Sequence, residues 1–473
     1  MKRLKVLILS SVFMLGSFLS CDDTLDINTD PLAATSADPN AVLPYVIVQY
    51  SQRKTTEMGT RVSNVPQIIS AAFNSPATGT TGAFLTGTMW EMMYTQALGN
   101  LVLVKADAEA AGETSNNVNA IATILMSHVF FELTSMWEDV PFSEALDGAV
   151  FSAPNVDKQE DVLNGILSML DEAIVLIDSR PAEGNFAIIP ASDMYYGGDM
   201  SSWKILANSL KLRTLMMLRS GGANVDSQLN QVLSQPLMES NDQSAFLRYA
   251  GGPGAQNAMQ SFIITYFGED NETVDLYAPG DPLIDLLDGT GDPRFDLWIA
   301  RNNLPAPGNG IFPDPETSVL SNNVIRATLP DVLMTPAEID LYKAQLALEG
   351  VSAAGDADSN YRNGVRNSLR WWGQDIPGII ETITDAEISA YVNSLGVPTI
   401  TDVYNEQYLA AFLMPLQSWN HVRRNKVPAL TPPPSTNITT ILKRFTYPPD
   451  EIGTNPNIPA NKMTDVPMWF ENL

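Results

Sequence analysis

The sequence predicts a mainly α protein in which helical hairpins form a frame and a large loop-rich, partly β excursion interrupts it. Three observations predict this. Apolar residues recur at helical spacing in segment after segment. Two complete helix start signals stand in the last third of the chain. Between about 240 and 330 the helical pattern collapses into Gly and Pro punctuation.

The helices follow in order. Residues 89–111 and 119–137 carry helical apolar stripes. Residues 157–178, DKQEDVLNGILSMLDEAIVLID, place apolar side chains at 163, 166, 167, 170, 174 and 177, and Asp157 with Glu160 has the spacing of a capping box. Residues 201–219 repeat the pattern with Trp203, Leu206, Leu210, Met217 and Leu218, and Gly221 and Gly222 offer a left-handed stop. TPAE at 335–338 puts Thr at the cap, Pro at the first helical position and Glu at the third, starting a helix that ends before Gly350. TDAE at 384–387 does the same for a helix ending at Gly396. Helices thus come in pairs with short breaks, as in helical-repeat proteins, without a fixed period. Trp90, Trp137, Trp203 and Trp419 fall on apolar stripes and are expected in the core. Trp371 and Trp372 would point about 100° apart on a helix, so one stripe cannot bury both and one is expected at the surface. Arg423 and Arg424 close a helix, where cations suit the dipole, and read as structural. DADSN (356–360) lacks the Gly and Glu of a calcium loop and reads as a turn into the next helix.

A structureless excursion of such length does not fit a compact domain, so 240–330 must carry short strands and turns of its own, and long excursions are commonly functional. Its aromatics Tyr266, Phe267, Tyr277, Trp298 and Phe312 stand among Gly and Pro rather than on an apolar helical face. That is how stacking platforms are displayed.

The amino terminus has a different task. Lys2, Arg3 and Lys5 precede an almost uncharged run over 6–19, too short for comfortable bilayer crossing, so residues 1–20 read as a secretory signal. Gly16, Ser17 and Ser20 lead to Cys21, the chain's single cysteine, as in a lipobox where the thiolate is acylated and the signal then removed. Residues 21–473 are expected to form one domain. A lone cysteine excludes disulfides and thiolate metal sites, and the two histidines, His128 and His421, are far apart in sequence. No metal or cofactor is expected. The net charge is −27, and loss of the signal with its three cations makes it more negative. Nucleic acid and anionic lipid are poor partners for such a surface.

Several stretches together resemble the SusD/RagB family of nutrient-binding surface lipoproteins, in its branch with a tetratricopeptide-like helical frame. They are LDINTDPLAAT after Cys21, MWEDVPFSEAL (136–146) with Glu138 where the family more often has Gly, and GDMSSWKILANSLKLRTLMML. GDPRF (291–295), MTPAEIDLYKAQLALEG, SWNHVRRNKVPAL (418–430) and KRFTYPPDEIGTNPN (443–457) follow in the family's order. Pro415, and Ala or Leu where acids are more usual in 344–348, depart from it. The resemblance implies a lipoprotein on the outer face of the outer membrane. It would capture an oligosaccharide, or a peptide, and pass it to a SusC-like TonB-dependent transporter. The acidic tract behind Cys21 fits an export signal to the outer leaflet.

The family's ligand face maps onto 73–88 and 262–312, so the candidate ligand contacts are Phe73, Asn74, Phe84, Tyr266, Tyr277 and Phe312. Rings suit sugars because the axial C–H faces of a pyranose are apolar and slightly positive against the negative ring face. Polar neighbours must then replace the water lost by the hydroxyls. Two other classes compete. A surface glycosidase would need two carboxylates across a cleft, and with 54 acids the count discriminates nothing. No nucleophile elbow, HExxH or phosphate loop is present, so no catalytic residue is assigned. A purely structural helical-repeat scaffold would need no exposed rings.

Overall fold

The computed structural model describes residues 38–70, 82–179, 191–308, 311, 313–432 and 440–471. The signal reading and Cys21 lie outside them. Helix α1, Pro39–Thr60, starts at Asp38, whose carboxylate accepts the Asn40 N–H at 3.0 Å and satisfies one orphan donor of the first turn. α2 (Ala83–Glu91) continues through a π-helical segment, Met92–Leu98, into α3 (Gly99–Ala111). α4 (Asn116–Trp137), α5 (Gln159–Asp178), α6 (Met200–Ser220) and α7 (Asp226–Leu233) follow. α3 packs against α4, α4 against α5 and α5 against α6, the predicted succession of helical hairpins. The stretch Ala83–Trp137 is long and apolar enough to cross a membrane by composition, yet its most apolar window is wholly buried within the protein. α4 is therefore the central helix of the frame, buried all round because neighbours cover every face.

Two start signals work differently from their reading. Asp157 does not cap α5: its carboxylate accepts the Phe142 and Ser143 N–H groups at 2.9 Å, locking the 140–143 corner. Asp139 takes the helix end instead, accepting the Gln159 N–H at 3.0 Å. Likewise Glu338 does not complete a capping box after Thr335, because it is spent on a bidentate pair with the buried Arg213 of α6 at 2.6 and 2.7 Å. A guanidinium in the interior outcompetes a backbone N–H for the carboxylate. The Thr384 and Glu387 capping box forms as predicted. Glu138 has φ of +74°, which accounts for Gly being commoner there, and its carboxylate holds Arg444, Lys462 and the Trp469 N–H. That side chain fastens the C-terminal segment to the corner.

The described residues include six short strands, all in antiparallel pairs; β1 follows α1, and the other five lie between the frame and the last helices. β1 is Ile69–Ser70, β2 Ala245–Leu247, β3 Ala278–Pro279, β4 Ile299–Ala300, β5 Val319–Leu320 and β6 Asp331–Met334; β1 pairs β3, β2 pairs β6 and β4 pairs β5. The excursion also contains α8 (Ala258–Phe267) and helical turns at Asn271–Val274, Asp281–Leu287 and Arg294–Trp298. α9 (Pro336–Leu348), α10 (Ala357–Arg370), α11 (Asp385–Ser394), α12 (Ile400–Ala410) and α13 (Pro415–Asn425) complete the helices used below. Asp356 caps α10 through the Ser359 N–H, so DADSN is the predicted turn.

The described residues from Asp38 onward belong to one compact unit with two apolar cores. α9 divides them. Ile339, Tyr342 and Leu346 face the frame's core, while Ala337, Leu341 and Ala344 on the opposite stripe face the core of the excursion. Covering on two sides accounts for Ala344 and Leu346 where acids are more usual, but not for Leu348, which is 40 % exposed. Trp90, Trp137, Trp203 and Trp419 are all buried. Trp371 and Trp372 are each 4 % exposed, correcting the expectation of one at the surface. Two different walls cover them: Trp371 meets Phe246 at 5.1 Å, and Trp372 meets Trp298 and Phe412 at 5.3 Å. The single-stripe argument fails because the pair sits in a π-helical segment, Trp371–Asp375, wrapped from two directions. Arg423 is structural as read. It lies 3.8 Å from the Trp419 ring and donates to the Ser135 and Lys443 carbonyls.

Candidate functional site

The site is built from α1 and α8. Asn257 caps α8 by accepting the Met259 N–H and is itself pinned by donating to the Leu329 carbonyl, both at 2.9 Å. Gly268 ends the helix in the left-handed region, φ +77°. Between these stops only Met259 and Ile263 are buried; Ile264, Tyr266 and Phe267 are exposed on an apolar helix. Met259 packs closely on α1, where Gly59 leaves room for its sulfur; a Cβ there would sit 2.7 Å from Sδ. Tyr266 and Phe267 are thus on the last turn of a helix, not in a Gly/Pro loop as the sequence suggested.

Where the two helices diverge they enclose an open cleft of about 440 Å³. One wall is the outer face of α1, with Gln49, Gln52, Arg53 and Thr56. The other is Gln256, Ser261, Thr265 and the rings of Phe262 and Tyr266. Those rings lie 4.9 Å apart at 46°, as an i, i+4 pair on one helical face should. Tyr266 is 72 % exposed. Arg53 has no ion pair or hydrogen bond among the described residues.

The inner face of α1 is held rigidly. The Lys54 ammonium lies 2.8 Å from the Asp331 carboxylate, Ser51 shares a 2.7 Å hydrogen bond with Tyr249, and Tyr50 donates to Glu132, which also lies 3.3 Å from His128. Burial alone would raise the Glu132 carboxyl, but His128, Lys54 and the Tyr50 hydroxyl outweigh it and hold the group at about 2. Polar groups fixed on the inside leave the amide stripe fixed on the outside.

The remaining predicted residues fall elsewhere. Phe84 is 67 % exposed at the start of α2, with the Arg61 guanidinium 5.8 Å from its ring, and does not line the cleft. Tyr277 is fully buried in the second core beside β3, which corrects its place among the ligand contacts. It follows Leu276 into the strand pair with β1, and burial raises its hydroxyl. Phe73, Asn74 and Phe312 lie outside the described residues. Reading the sequence missed Gln49, Gln52, Thr56 and Phe262. The signal was available as a polar i, i+3, i+7 stripe on α1, but any solvated helix face looks the same.

Chemically the cleft can stack and hydrogen-bond. Its lining contains no Asp, Glu or His, so the two-carboxylate arrangement of a glycosidase has no residues here. No group of three or more His, Cys, Asp and Glu side chains able to hold a metal occurs among the described residues.

A sequence family described as "starch-binding associating with outer membrane", SusD-like, matches residues 35–448. A solved chitin-binding protein superposes with a TM-score of 0.78 at 22 % identity, over 92 % of this chain and all of the other. A chitin-binding SusD homologue from Flavobacterium johnsoniae gives 0.74 at 17 %, over 92 % and 99 %. At these identities the likeness is one of fold. No curated protein sequence matches the chain significantly. The family consists of carbohydrate binders rather than enzymes. With a helical-hairpin frame, an inserted excursion and a family match over most of its length, the chain belongs to the SusD-like family of starch-binding proteins that associate with the outer membrane.

Proposed function

We propose that the protein captures an extracellular oligosaccharide in the cleft between α1 and α8 and delivers it to a SusC-like TonB-dependent transporter in the outer membrane. The observation that carries this is the cleft's chemistry. A ring pair, exposed Tyr266 on half-buried Phe262, stands opposite a row of amides, a hydroxyl and the Arg53 guanidinium, with no acid among the lining residues. The rings take the apolar faces of the sugar. Gln and Thr side chains, each able to donate and accept, replace the water that the hydroxyls lose. Affinity then comes mainly from stacking and hydrogen bonds, to which the Arg53 guanidinium can donate, and this suits a neutral glycan approaching an acidic protein.

Acylated Cys21 tethers the domain. Each buried methylene contributes about 0.8 kcal/mol, so two or more acyl chains hold it on the membrane while the binding face stays outside. The test is calorimetric titration of the purified protein against starch-derived and chitin-derived oligosaccharides and a peptide panel. Heat release without cleavage of a glycan supports the reading; heat with peptides alone, a cleaved product, or none with any glycan overturns it. Mass spectrometry of protein from native membranes tests the anchor, and an unacylated Cys21 removes it.

A further inference from the structure

We propose that the glycan site extends beyond the cleft along α1 to Tyr45, which acts as a second stacking platform and makes the site selective for a linear chain of several sugars. This rests on the glycan reading of the cleft. At 100° per residue, positions 45, 49, 52 and 56 lie within about 60° of one another on the helix. The last three line the cleft. Tyr45 therefore stands on the same stripe, one turn or about 6 Å before Gln49, and the stripe from Tyr45 to Thr56 runs about 16 Å.

Tyr45 is 52 % exposed, while its neighbours Leu43, Val46, Ile47 and Tyr50 turn inward and are buried. The core therefore does not account for its ring. On a solvated helix face of a strongly acidic chain a small or charged side chain would serve. A ring placed in line with three hydrogen-bonding side chains instead repeats the composition of the cleft: a platform, then amides and a hydroxyl. A monosaccharide or disaccharide fits between the α1 and α8 walls without reaching Tyr45. A longer linear chain lying along the stripe covers it.

The experiment is titration of unmodified protein, Tyr45→Ala and Tyr45→Phe with malto-oligosaccharides and chito-oligosaccharides from disaccharide to hexasaccharide. Affinity is expected to climb with length and then level off. Tyr45→Ala should weaken the hexasaccharide about tenfold and leave the disaccharide unchanged, while Tyr45→Phe, which keeps the ring, restores the long-chain affinity. Equal affinity for all lengths, or a hexasaccharide indifferent to Tyr45→Ala, overturns the extension and leaves the cleft as a short-ligand site. Failure of the unmodified protein to bind any member overturns the extension together with the reading beneath it.

Discussion

Replacing Tyr266 by alanine separates a ligand platform from a packing residue. With 72 % of its surface already in solvent, the side chain contributes little to the fold, so the unliganded protein should lose no more than about 0.5 kcal/mol. The loss on binding is larger. A buried tyrosine removes roughly 150–250 Å² from water, and a pyranose lying on one face covers about half of that. At about 25 cal/mol per Å² this sets an upper bound near 3 kcal/mol. Phe262, 4.9 Å away, remains to cover part of the sugar. The expected loss is therefore about 1–2 kcal/mol, or roughly five- to thirtyfold in Kd. Calorimetric titration with a bound oligosaccharide and a thermal melt without it read the two quantities separately. Unchanged affinity would show that the ligand sits elsewhere. A melt lowered by many degrees would show that Tyr266 packs the fold.

Other perturbations test how the scaffold holds this site. Arg213→Met strands the buried Glu338 and should cost about 3–5 kcal/mol by urea unfolding; adding Glu338→Leu should recover most of it, and no recovery would locate the cost in packing. Glu132 is held at about 2 against 4.5 for an ordinary glutamate, so its contribution is complete above pH 4.5 and is lost as pH falls toward 2. That contribution is at most on the order of 3 kcal/mol; Glu132→Gln should flatten the acid limb of a stability profile, and an unaltered limb refutes the linkage. Gly280→Ala would set a Cβ 1.7 Å from the Gln67 carbonyl oxygen and force β1 from β3, for a loss of about 1–3 kcal/mol in chemical unfolding. An unshifted midpoint would mean that the strand pair yields freely.

Reading the sequence placed several long helices, α3 to α6 among them, because their periodicity is a local property, set by which side chains must leave water together; it gave no helix at Pro39–Thr60, the α1 wall of the cleft. It failed at helix ends where a carboxylate had distant competitors. Glu338 and Asp157 stand at proper capping distances in sequence, but Arg213, 125 residues away, takes one and the 140–143 corner takes the other. Exposure of aromatics failed for the same reason. Tyr277 and Trp372 look like Tyr266 in their sequence surroundings, and only the walls brought by remote segments bury two of the three.

The sequence by itself determined the helical frame, the interruption at the excursion, the family and the acidic surface, since each follows from composition, period or ordered motifs. Tertiary structure decided where the cleft lies. It lies between α1 and α8, which pack closely at Gly59 and Met259, and joins an amide stripe near residue 50 to rings near residue 265. No pattern within either segment encodes that meeting, because the free energy that creates it comes from packing between parts of the chain some two hundred residues apart.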